Sequence, residues 1–86
     1  MVHVIDRSAR AETRNPVLAL PAIDALRGLD PAAQAALRLV LLDLQQDARR
    51  RADKSWRTHK PPLAAYWSAV GVYAGHIARS LNRPRR

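Results

Sequence analysis

Eighty-six residues with no cysteine and a net charge of +8 make one small domain with a thin core, and exclude disulfide staples and thiolate metal sites. The opening residues lack the charged-then-apolar order of a secretory signal, and the longest run of large aliphatics, Leu39–Leu42, is far too short to span a bilayer, so a cytoplasmic setting is expected. The charge is lopsided: residues 1–30 hold four basic and four acidic groups, residues 31–86 eleven and three, an imbalance that bears on anionic partners rather than on fold.

In chain order, residues 1–15 mix charged and hydroxyl side chains without a sustained apolar period and predict a flexible arm. Val2, Val4 and Ile5 alternate, but a lone strand has no ladder partner. Asn15-Pro16 reads as a turn. Pro21 then suits the first turn of a short helix that Gly28 closes, with Leu20, Ile23, Leu26 and Leu29 on its apolar side and Leu29 expected to fold back on Ile23.

The clearest start signal is Asp30-Pro31, an N-cap acceptor followed by proline where its missing N–H costs nothing. From there Ala, Leu, Gln and Arg predict a helix of about 26 residues, roughly 39 Å long. Its expected seam is Ala33, Leu37, Val40 or Leu41, Leu44, Ala48, Ala52 and Trp56, with Leu39 and Leu42 widening the stripe where the first helix packs. Lys60-Pro61-Pro62 forces a reversal. The third helix, about Pro62 to Asn82, carries Leu63, Trp67, Val70, Ala74, Ile77 and Leu81 at steps of four and three, the pattern of antiparallel helix pairs, with Tyr66 and Tyr73 flanking it. The fold expected is all-α: a short helix packed on a long antiparallel hairpin over residues 16–82, ending in a basic tail at 83–86.

A second stripe on the third helix, Ala64, Ser68, Gly71, Gly75 and Ala78, is made of small residues. Two glycines inside a helix cost about 1 kcal/mol each against alanine, and close approach of another helix is the usual compensation. The neighbour is either a helix of the same chain or the third helix of a second copy in a two-fold dimer.

Cations gather where the hairpin turns. Arg49, Arg50, Arg51, Lys54, Arg57 and Lys60 fall within twelve residues, with Asp53 opposing them and Trp56 and His59 among them. Helix-dipole complementarity at a C-terminus accounts for some of these charges but not for six. An exposed tryptophan there would stack on a base or hold an arginine, whereas a buried one would anchor the core, and Trp67 near the same end would join it in clamping the hairpin. Arg79 and Arg83, with Arg85 and Arg86, form a second basic pole near Arg27 and Arg38.

Catalysis is not expected. His3, His59 and His76 are scattered, Asp43 and Asp47 have arginines within reach, and no nucleophile triad or phosphate-binding glycine loop is present; neither cofactor nor metal is called for. The Ala/Arg/Leu bias suggests a GC-rich bacterial source or one of its mobile elements. The leading expectation is a small binding protein that grips nucleic-acid backbone through Arg49–Lys60 with little sequence specificity, helped by the terminal arginines. The alternative is a protein–protein module, such as a phage- or plasmid-type inhibitor, docking on an acidic surface with Trp56, Tyr66 and Tyr73 as anchors. Exposed, contiguous aromatics favour the protein partner; aromatics buried beneath a basic ridge favour the backbone. A membrane-surface role is weaker, because the apolar face is interrupted by alanines and finds its partner inside the chain.

Overall fold

A computed structural model describes residues 14–81. The element order is a 3₁₀ turn at Pro16–Ala19, then α1 at Ile23–Arg27, α2 at Pro31–Arg57 and α3 at Pro61–Ser80. Among the described residues there is no strand, and the two long helices pack against each other along their length. The all-α hairpin read from the sequence is the fold observed. Residues 1–13 of the arm expected at 1–15, and the tail at 83–86, lie outside the described residues.

The ends of the helices follow from local chemistry. Asp30 caps α2 by accepting from the backbone N–H groups of Ala32 and Ala33, with Pro31 in the first turn. Gln34 reaches back to donate to the carbonyls of Leu26 and Arg27, tying α1 to the start of α2. At the far end α2 stops at Arg57, before the prolines. Lys60 N–H donates to Ser55 C=O at 2.8 Å and His59 N–H to Trp56 C=O at 3.2 Å, the paired bonds of a Schellman motif. His59 supplies its left-handed residue, with φ 61°, a conformation usually left to glycine. Pro61 then opens α3 one residue earlier than expected.

Asn15 ends the expected arm and is nevertheless buried. Its side chain accepts from Val17 N–H and donates to the His76 carbonyl at 2.9 Å, so the 3₁₀ turn is pinned to the C-terminal half of α3. Val17 in this turn and Ile23 at the start of α1 are buried. Leu39, expected under the first helix, remains 61% exposed, so α1 does not lie there.

The core overlaps the expected seams at Ala48, Ala52, Ala74 and Leu81, which are buried, and departs from them elsewhere. The buried positions are Ala48, Ala52 and Ser55 on α2 and Ala64, Gly71, Ala74, Gly75, Ala78 and Ser80 on α3, and among the described residues no large side chain is fully enclosed. The small-residue stripe faces α2 of the same chain. A Cβ placed on Gly71 would lie 3.6 Å from Ala48 Cβ and from Gln45 O, and one on Gly75 would strike the Gln45 amide. Close approach favours side chains of this size; Leu63 is displaced to the flank, and Trp67, Val70 and Ile77 are half-buried. Ser68 is exposed and lines a groove at the edge of the packed stripe. Trp56 is 58% exposed and is not part of the seam.

Candidate interaction surface

The three consecutive arginines show how the hairpin sorts its charge. Successive helix residues point about 100° apart, so Arg49, Arg50 and Arg51 diverge. Arg49 lines a cleft of about 360 Å³ with Trp56, Ser68 and Val72 on one side of the hairpin. Arg51 lines a separate cleft of about 210 Å³ with Lys54, Lys60, Leu63 and Trp67, and its guanidinium stacks 4.9 Å from the centroid of the Trp67 ring. The basic set expected to form one corner is therefore split between two grooves. The two indoles are split as well, Trp56 lining the first groove and Trp67 the second, and they do not clamp the hairpin together.

Carboxylates claim part of that charge. Asp47 receives Arg51 Nε at 2.8 Å and lies 3.6 Å from an Arg50 nitrogen, while Asp53 pairs with Arg57. The hydrogen bond from Arg51 lowers the Asp47 pKa; desolvation opposes it, and the charges of Arg51 and Arg50 add lesser lowering effects. Arg49, Lys54 and Lys60 have no carboxylate partner among the described residues. At the other end Arg79 is exposed and lies 2.9 Å from His76 Nδ1, and Arg83 lies outside the described residues. His59 serves the turn, where its backbone conformation ends α2.

The aromatics lie largely in solvent. Tyr66 and Tyr73 are 57% and 51% exposed. Tyr66 meets Trp67 edge to face at 5.0 Å, and Tyr73 meets His76 in the same way at 5.7 Å, geometries that orient rings without enclosing them. Leu63, Tyr66, Val70, Tyr73 and Ile77 recur at steps of three and four along α3, an apolar stripe on its flank in which Leu63, Tyr66 and Tyr73 are exposed and Val70 and Ile77 half-buried. Among the described residues, no three His, Cys, Asp or Glu side chains gather into a metal-binding group, and no helix is long and apolar enough to cross a membrane.

Compared with known proteins, the chain matches no family model, no curated protein and no solved structure. The functional reading therefore rests on the geometry of these surfaces.

Proposed function

We infer that the chain is a non-enzymatic protein-interaction module, a helical hairpin that docks on an acidic protein surface. The observation that carries this reading is the exposure of Tyr66 and Tyr73 beside Leu63 on one stripe. Scattered surface apolars need no explanation, but two exposed tyrosines on one apolar stripe with Leu63 support a site of association, although Trp56 lines the other groove. Lys54 and Lys60 border the stripe at its hinge end and would steer and rim an acidic partner.

Backbone binding to nucleic acid is the second reading, favoured by the groove in which Arg49 lies beside exposed Trp56. It ranks lower because Arg50, Arg51 and Arg57 already contact carboxylates and the cations do not share one face. Affinity purification of the tagged chain from host extract, with and without nuclease, separates the two. A protein partner retained after nuclease, and lost from a Tyr66→Ser/Tyr73→Ser variant, is the expected result. Recovery that disappears with nuclease, together with binding of purified nucleic acid that falls steeply between about 50 and 200 mM salt, would replace this reading with the second.

A further inference from the structure

We propose that the partner contributes a single amphipathic helix, acidic at one end, which lies along α3 and converts the hairpin into a three-helix bundle; this rests on the module reading above. The α3 stripe from Leu63 to Ile77 advances by 3, 4, 3 and 4 residues, the spacing of a helix–helix seam rather than of a flat or extended contact. It lies on the flank of α3, about a third of a turn round from the small-residue stripe seated on α2, with Leu63, Tyr66 and Tyr73 exposed and Val70 and Ile77 half-buried.

The adjoining wall comes from α2. Arg51 shares the cationic groove with Leu63 and Trp67, and the same helical period carries that side of α2 from Lys54 through Arg51, Asp47 and Leu44 to Val40. Gln45 lies opposite both Gly71 and Gly75, which sets Leu44 level with the far half of the stripe. Val40 is 62% exposed and Leu44 is also exposed. The α3 stripe and a row on α2 that is charged towards the hinge and apolar at Leu44 and Val40 border a groove between neighbouring antiparallel helices, into which a third helix packs its own ridge. The stripe spans fourteen steps from Leu63 to Ile77, about 21 Å at 1.5 Å per residue, and so fits about four turns of a partner.

Charge selects the occupant. Lys54 and Lys60 stand at the hinge end of the groove without carboxylate partners among the described residues, whereas the other end is bordered by Val40 and Leu44. A partner helix with Glu or Asp in the turns beside Lys54 and Lys60, and leucine-like residues beyond, satisfies both ends. A second copy of this chain, at +8, adds cations to cations and is the poorer occupant.

The test is titration of the full chain with a synthetic helical peptide of four to five turns, apolar at heptad spacing and carrying Glu in its first two turns. A scrambled peptide of the same composition and a Glu→Lys version serve as controls. Isotope-edited amide shifts report the site, and Trp67 fluorescence in a Trp56→Phe background reports affinity. The expected result is saturable binding with shifts along 63–77, weakened about tenfold, or about 1.4 kcal/mol, by Tyr66→Ser/Tyr73→Ser. Leu63→Ser provides an independent variant, and circular dichroism confirms that each remains helical. Equal binding of the scrambled peptide, shifts confined to the Arg49–Trp56 groove, or self-association that the tyrosine variant abolishes would each overturn the proposal. If the peptide fails while a nuclease-resistant partner still requires Tyr66 and Tyr73, the helix inference falls and the module reading stands. If the tyrosine variant keeps its partner, the module reading itself falls.

Discussion

Replacing Gly71 with alanine should stabilise the protein, although the residue is buried where the two long helices meet. The added Cβ would meet Ala48 Cβ and Gln45 O at 3.6 Å and Arg49 Cγ at 3.8 Å, ordinary van der Waals separations. Alanine is favoured over glycine inside a helix by about 1 kcal/mol, and burying one more methyl group adds up to about 0.8 kcal/mol. A gain of about 1–2 kcal/mol is therefore expected. For a domain of this size each kcal/mol raises the midpoint by about 4–8 °C, within easy reach of thermal and urea melts followed by circular dichroism. Gly75→Ala supplies the contrast, since its Cβ would strike the Gln45 amide, the far end of a flexible side chain, and its gain should be smaller than that of Gly71→Ala by the cost of swinging that amide aside. Shortening Gln45 to alanine in the same chain should recover that difference in a double-mutant cycle. A Gly71→Ala variant destabilised by more than about 0.5 kcal/mol would mean that the helices pack more closely than the structure shows, and the reasoning would fail.

Three further outcomes are expected. Asn15→Ala removes both the bond to Val17 N–H and the donor to His76 C=O, and should cost about 1–2 kcal/mol in a denaturant melt; an unchanged midpoint would show that the 3₁₀ turn is not held there. His59→Gly relieves a left-handed backbone in a residue with a Cβ and should raise stability by about 1 kcal/mol, whereas His59→Val should lower it. Because the Asp47 pKa is lowered in the folded chain, its pairing with Arg51 and Arg50 contributes stability above its ordinary value of 3.8 and loses it as pH falls through the lowered value. Asp47→Asn should therefore flatten the acid limb of a stability-against-pH curve, and an unchanged limb would deny the pairing.

The turn points of the fold were legible because they depend on local stereochemistry. Asp30-Pro31 and Pro61 act where the sequence places them, and the small stripe on α3 correctly announced a close helix–helix contact. The identity of the seam was harder to read. Large apolar residues were assigned to the interior by size, but two interleaved stripes share α3, and close packing admits Ala64, Gly71 and Gly75 while turning Leu63 outward. Trp56 continued an apolar period on α2, yet the buried row shifts to Ala52 and Ser55, which leaves the indole outside. Nor did composition indicate that a histidine would adopt the left-handed turn. The division of the arginines was within reach of helical geometry, since residues about 100° apart cannot line one ridge. Their count in sequence concealed their spread in space.

An interior of alanine and glycine has a thermodynamic consequence. Methyl groups and bare backbone withdraw little apolar area from water compared with leucine or phenylalanine, so the free chain is expected to have a modest unfolding free energy. Anything that attaches only to the folded hairpin then weighs heavily: a ligand at about a hundred times its dissociation constant adds about 2.7 kcal/mol. The melting curve of this protein is thus a sensitive detector of occupancy, and a shift on addition of a candidate binder would register association before the contact is mapped.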